Sequence, residues 1–280
     1  MRRLIAGLVV FAVVVGVVVL AANLIAEWLT RSFEFDECVA SVKRGGRELR
    51  AEVDLEQAEN AALVSAVSIQ RGLPARAASI GIAAAFQETG LRNLDYGDRD
   101  SLGLFQQRPS QGWGSEEQLL DPYYATSRFY EHLAKVDGYL TMPIDEAAQA
   151  VQRSADGSLY AQHEMRARAL ASALTGQSPA AFTCVLVEAP TESSPSGLAA
   201  ELTNAFGRRL DVGVGAGRVV VDTARQDTLG WAVAHWALAY SKRFGVSEVR
   251  YAGNIWTAER SKDGWQVTEQ APSDRVLITF

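Results

Sequence analysis

The sequence predicts an α+β protein in three parts: an N-terminal transmembrane helix, a mainly helical domain, and a small α/β sandwich domain at the carboxyl end. Three observations predict it. Residues 4–25 form an apolar run without a charged side chain, residues 54–175 carry helical signals almost throughout, and strand-like and helix-like segments alternate after residue 197. Between the last two lies Glu188–Gly197, rich in Pro, Ser and Thr and without apolar periodicity, which reads as a linker. The expected parts are therefore an anchor over 1–27, a helical domain over 28–187, a linker over 188–197 and an accessory domain over 198–280.

The run from Leu4 to Ile25 is long enough to cross a bilayer as one helix, with Asn23 its one strongly polar member. Arg2 and Arg3 precede it, so the amino terminus is expected in the cytoplasm and the rest of the chain beyond the membrane. A cleaved signal peptide has a shorter apolar region and a small-residue cleavage site; this run leads into Glu27-Trp28-Leu29-Thr30-Arg31, as an uncleaved single-pass anchor in the cell membrane would. The chain has two cysteines, Cys38 and Cys184. In an oxidising compartment they are expected to pair, the alternative being two separate buried thiols.

Within the helical domain, helices are expected near 54–71, 74–89, 122–136, 144–154 and 159–175. Asp54 followed by Gln57 has the spacing of a capping box, Pro74 suits a first helical position, and Gly90 is a natural stop after Glu88 and Thr89. Glu88 closes the apolar, alanine-rich stretch from Ile80 to Phe86. A carboxyl group at the end of a buried helix sits in low dielectric beside the partly negative helix terminus, and both effects raise its pKa toward the range a general acid needs.

Downstream the chain runs Gly103-Leu104-Phe105-Gln106 into Gln107-Arg108-Pro109. Glu88-Thr89 together with Gly103-Leu104-Phe105-Gln106 resembles the lysozyme-like superfamily, in particular its lytic transglycosylase and soluble-lysozyme branch. The first motif of that branch is Glu-Ser or Glu-Thr, and the second is Gly-Leu-Met-Gln. The resemblance covers residues 50–180 and implies a lysozyme-like fold there, Glu88 as catalytic acid, and peptidoglycan glycan strands as the partner. The bond to be cleaved would be the β-1,4 link between N-acetylmuramic acid and N-acetylglucosamine, by hydrolysis or by transglycosylation. The family's third motif, a Tyr-Asn pair, has no match: Gln152 and Arg153 stand in the corresponding helix. That departure leaves open a second reading, an inactive lysozyme-like scaffold that binds glycan or a partner in an envelope machine.

Between the motifs lies a loop with Asp95, Asp98 and Asp100. Asp98 and Asp100 are the candidates for a second carboxylate, which in glycoside hydrolysis attacks the anomeric carbon or activates water. Asp, Asn and Gly also build turns, so a purely structural loop is the competing reading, and some families of this superfamily work with a single glutamate. Gln106 and Gln107 offer paired donors and acceptors to an amino sugar, and Trp113 and Tyr96 offer faces for stacking on its ring, with a core role as the alternative for Trp113. The resemblance supports Gln106 most. Tyr160 is the candidate to replace the missing tyrosine of the third motif.

In the accessory domain Val219–Asp222 and Val246–Tyr251 read as strands, Leu229–Phe244 as an amphipathic helix between them, and a short hairpin follows. The stretch Trp231–Trp256 is similar to a small extracellular domain of actinobacterial wall proteins related to metal-dependent D-Ala-D-Ala carboxypeptidases. The metal-binding pattern of such peptidases is missing, since His235 lies inside the helix and Asp222 has no histidine partner, so a non-catalytic binding module is expected. Gly213-Val214-Gly215-Ala216-Gly217 precedes a strand and is no nucleotide loop.

The composition agrees. With 280 residues, 48% hydrophobic and 21% charged, the chain can build sizeable cores. Its 27 basic and 33 acidic side chains leave a net charge of -6 with no lysine-arginine cluster, which argues against a nucleic-acid partner. Three histidines without metal-ligand spacing imply no metal site, and no cofactor is expected.

Overall fold

The computed structural model describes residues 15–23, 35–153 and 157–280. The expected anchor lies largely outside the described residues. Residues 15–23 are helical, and among the described residues no helix is long and apolar enough to cross a membrane.

The first ordered element after Phe35 is a hairpin, β1 (Glu37–Arg44) and β2 (Arg47–Val53), which the sequence reading does not include. Its alternation is visible in hindsight: Cys38, Ala40, Val42, Ala51 and Val53 are buried and their neighbours are not. β3 (Phe182–Val185) adds to the other side of β1, giving the order β2-β1-β3. Cys38 and Cys184 face each other across the antiparallel β1–β3 pair and form a disulfide. It closes a loop with a sequence separation of 146, for which the chain-entropy model allows about 5 kcal/mol of stabilisation.

Among the described residues six α-helices follow β2 before the chain returns to β3: α1 (Leu55–Gln70), α2 (Ala75–Thr89), α3 (Glu116–Leu120), α4 (Pro122–Leu133), α5 (Ile144–Gln152) and α6 (Glu164–Leu174). Asp54 and Gln57 form the expected capping box at the start of α1. Pro74 takes the cap position of α2, one residue before the expected place. The region expected as a last helix over 159–175 opens instead with a 3-10 segment, Gly157–His163, ahead of α6.

The carboxyl-terminal part is a six-stranded antiparallel sheet with two helices, richer in strands than the sequence predicts. Its strands are β4 (Asp211–Gly215), β5 (Arg218–Asp222), β6 (Glu248–Tyr251), β7 (Asn254–Thr257), β8 (Gln266–Val267) and β9 (Arg275–Thr279), in the order β4-β5-β9-β6-β7-β8. The helices are α7 (Pro195–Phe206) and α8 (Asp227–Ala239), the latter followed by a single turn, α9 (Ser241–Phe244).

Two expectations change here. The helix read as amphipathic is buried on every side from Leu229 to Tyr240. It packs against α1 and α6 on one flank and against β3, β6 and β9 on the other, so no face of it meets water. His235, in its middle, accordingly stays neutral, with Nδ1 2.7 Å from the carbonyl of Ala173 and burial holding its pKa down at about 4. The segment 188–197, read as a linker, separates no independent bodies: Pro195 opens α7, the amide of Ser194 donates to the carbonyl of Phe244, and residues 36–280 form one compact unit. The indoles of Trp256 and Trp265 donate to the carbonyls of Cys184 and Phe182, binding the six-stranded sheet to the strand that carries the disulfide.

Candidate active site

α2 delivers Glu88 to a fixed place. Ten consecutive residues of the helix, Ala77 to Phe86, are buried, and Glu88 emerges half-buried in the last turn. Gly90 takes the left-handed conformation with φ 65°, and the amides of Gly90 and Leu91 return to the carbonyls of Phe86 and Ala85, which ends the helix sharply. α1 fastens this terminus: Gln57 donates to the carbonyl of Gly90 at 2.8 Å and buried Asn60 to that of Leu91 at 3.0 Å. Arg92 reaches back to the carboxylates of Asp54 and Glu56 at the start of α1.

Thr89 explains why the two motifs come as a pair. Its hydroxyl donates to the carbonyl of Leu104 at 3.0 Å and accepts from the amide of Arg92 at 3.1 Å, so the helix end and the Gly103–Gln106 turn share one side chain. That turn is closed by reciprocal hydrogen bonds between Leu102 and Gln107. Gly103 has φ 75°, and a Cβ there would lie 2.1 Å from the carbonyl oxygen of Leu119, so the position excludes any other residue.

Above Glu88 opens a cleft of about 680 Å³, within the usual range for small-ligand sites. Of the residues singled out in the sequence, Glu88, Asp98, Gln106, Gln107 and Trp113 line it. Tyr160 is fully buried beneath it and donates its hydroxyl to Glu88 Oε1 at 2.6 Å; it touches the acid rather than a ligand. Burial pushes the Glu88 carboxyl above its ordinary range, opposed by the hydrogen bonds from Tyr160 and Gln152. Gln152, at the place of the missing tyrosine, also donates to the carbonyl of Phe105 at 2.8 Å and so joins α5 to the second motif.

The two loop aspartates part company. Asp98 is exposed at the cleft wall, 3.9 Å from Arg99. Asp100 is not among the residues lining the cleft. Its carboxylate is fastened by the hydroxyl and amide of Ser110 and by Arg108 Nε at 2.6 Å, which hold it well below the usual carboxylate range. A carboxylate bound in that way braces the loop from outside the cleft lining.

The sugar-contact candidates also differ from one another. Gln106, at φ 50°, donates across its own loop to the carbonyls of Tyr96 and Gly103. Gln107 is buried and donates to the carbonyl of Ala125 at 3.2 Å, while its Oε1 has no protein partner among the described residues. Trp113 is half-buried and packs in a tilted arrangement, ring centroids 4.3 Å apart, on His132, a cleft residue that sequence reasoning missed. Burial first, then Arg128 and Lys135, holds His132 below its ordinary pKa. Tyr96 is 67% exposed and its side chain does not line the cleft. Arg99 and Arg108, also missed, and Arg153, noted in the sequence only as a departure from the third motif, make the lining positive in a chain of net charge -6.

A family model described as VldE, C-terminal domain, matches residues 161–276. The match begins at the end of the 3-10 segment, crosses the segment 188–197 and ends inside β9, so it takes in the residues from α6 through the six-stranded sheet and leaves Glu88 and its cleft outside. No curated protein matches the chain.

Proposed function

We propose that the protein is a membrane-anchored, extracytoplasmic peptidoglycan glycosidase, a muramidase or lytic transglycosylase, that cleaves the β-1,4 bond between N-acetylmuramic acid and N-acetylglucosamine with Glu88 as general acid. The observation that carries this reading is the Glu88 carboxyl, desolvated at a rigid helix end, hydrogen-bonded by Tyr160 and open to a cleft of ligand size. Glu88 gives its proton to the bridging oxygen as the bond from that oxygen to the anomeric carbon breaks. Water or the sugar's own 6-hydroxyl then bonds to the anomeric carbon and returns a proton to the carboxylate. The arginines of the lining suit a glycan bearing carboxylates, and Trp113 with Gln106 and Gln107 suits an amino sugar. The apolar run 4–25 supports a single-pass anchor with a cytoplasmic amino terminus, and the disulfide supports an oxidising compartment. The six-stranded part serves as a non-catalytic accessory to this site.

One observation favours the second reading, a glycan-binding scaffold without activity: Gln152 and Arg153 occupy the place of the third motif. The two are separated by incubating the full chain with isolated peptidoglycan and analysing the soluble fragments by mass spectrometry. Reducing ends report hydrolysis and 1,6-anhydromuramic ends report transglycosylation; sedimentation with the wall and no fragments reports the scaffold.

A further inference from the structure

Away from Glu88, a second cleft of about 480 Å³ opens where β1, the first turn of α2 and α6 meet. Three cationic side chains line it from these three elements, Lys43, Arg76 and Arg168, together with Ser79 and Ser178, and no carboxylate lines it. This concentration runs against a chain in which 33 acidic side chains outnumber 27 basic ones. Two acids stand beside it, Glu164, whose carboxylate takes Arg168 Nε at 2.7 Å one helical turn away, and Glu48, the cross-strand partner of Lys43, whose carboxylate accepts from the hydroxyl of Ser41. Two negative charges thus answer three positive ones, and among the described residues Arg76 is the cation left without a carboxylate.

Arg76 is held in place without being neutralised. It donates to the main-chain carbonyls of Tyr139, at 2.9 Å, and Met142, and no carboxylate pairs with it among the described residues. Burial and the charge of Arg168 both push its guanidinium below its ordinary pKa, with Glu164 opposing them. Like charges fixed at the wall of a concave site repel one another until an anion sits among them. Ala75 and Arg76 are also the first two residues of a 15-residue helix whose cap, Pro74, makes no side-chain hydrogen bond, so the positive end of the helix dipole lies at the same wall.

We propose that this second cleft binds the phosphate group of a phosphate ester. Cations arriving from three elements, with hydroxyl groups between them, surround a tetrahedral anionic phosphate, whereas a planar carboxylate needs only one bidentate guanidinium. The ester is either a soluble molecule or the headgroup of an anionic lipid. This inference does not rest on the chemistry assigned to Glu88.

The test is isothermal titration of the full chain with sn-glycerol 3-phosphate at fixed ionic strength, beside co-sedimentation with vesicles of phosphatidylglycerol or of phosphatidylcholine. Saturable binding is expected in the wild type and in Glu88→Gln. It should weaken about tenfold in Lys43→Gln or Arg168→Gln, each of which removes one charge-assisted contact, and further in the double variant. Arg168→Lys, which keeps the charge, should restore part of it. Phosphatidylglycerol-specific sedimentation with the same dependence would assign a lipid source, and titration without sedimentation a soluble one. Absence of saturable binding to either probe, binding indifferent to Lys43 and Arg168, or loss of binding in Glu88→Gln would overturn the proposal.

Discussion

Glu88 and Asp100 stand at opposite ends of one loop and are driven in opposite directions. Glu88 leaves a helix whose preceding residues are buried, receives hydrogen bonds from Tyr160 and Gln152, and is dominated by desolvation, which favours the protonated form. Asp100 is ringed by donors, Ser110 through both hydroxyl and amide and Arg108 through its guanidinium, which favour the charged form. Motif spacing alone presents both as candidate carboxylates. Their surroundings favour the protonated form of one and the charged form of the other.

The largest effect should come from Glu88→Gln. A positioned general acid contributes about a hundredfold to ten-thousandfold in rate, so muralytic turnover should fall by that order, measured as fragments released from peptidoglycan. Stability should not fall with it. The folded-state pKa of Glu88 is raised above its unfolded value, so the carboxyl costs nothing below the unfolded pKa and becomes a burden as pH rises from there through the folded pKa. The variant should therefore have an equal or higher melting temperature at pH 7 and should lose that advantage near pH 4. Unchanged turnover would dissolve the contrast between the two carboxylates and remove Glu88 as the general acid.

Tyr160→Phe sharpens the comparison from beneath. The lost hydrogen bond favours the charged form of Glu88, and such a bond to a charged group is worth about 1.5 to 3 kcal/mol, or roughly one to two pH units. The alkaline limb of the pH-rate profile should move upward by about one unit, with a several-fold loss of turnover. An unmoved limb would mean that Tyr160 only fills space.

How much of this contrast is legible in the sequence follows from the range of the interactions. The end of α2 is local: Ile80–Phe86, Glu88 and Gly90 together spell a buried helix and its stop, and the capping box at Asp54 and Gln57 is equally short-ranged. The Tyr160 contact spans 72 residues and reaches Glu88 from a 3-10 segment, so no spacing rule reveals it, although the tyrosine is identifiable as a substitute for the missing motif. His132 carries no signal until α4 sets it against Trp113. The β1–β2 hairpin is hidden by its composition, with Ala, Ser and charged residues diluting the alternation. The stretch Leu229–Phe244 reads as an amphipathic helix, yet β-strands cover one flank of α8 and helices the other. Burial on both sides is a property of the assembled fold.

Asp100→Asn tests the other end of the loop. The folded-state pKa of Asp100 is depressed, so its contribution to stability is present above the unfolded pKa and fades as pH falls through the folded one. The variant should melt below the wild type at pH 7, and the gap should close as the pH is lowered past about 4, near the ordinary aspartate pKa. Loosening of the Ser110 and Arg108 contacts should raise KM more than it lowers kcat. A collapse of kcat at unchanged KM would contradict a purely structural role for Asp100.

Asp98→Asn should produce the smallest change, and for that reason it decides most about mechanism. Asp98 lines the cleft but is 91% exposed in its side chain, with only a 3.9 Å approach from Arg99 to orient it. A carboxylate that must attack an anomeric carbon or align a water needs rigid placement, because misplacement by about 1 Å costs on the order of a hundredfold. Among the described residues nothing comparable to the Tyr160–Glu88 contact holds the Asp98 carboxylate. Turnover of the variant within about threefold of wild type would mean that Glu88 serves alone, giving and then recovering the proton in the manner of general acid-base catalysis. A loss approaching that of Glu88→Gln would show that the loop closes over substrate and brings Asp98 to the reacting carbon, and the separation between the two carboxylates in that closed state would then set the stereochemical outcome.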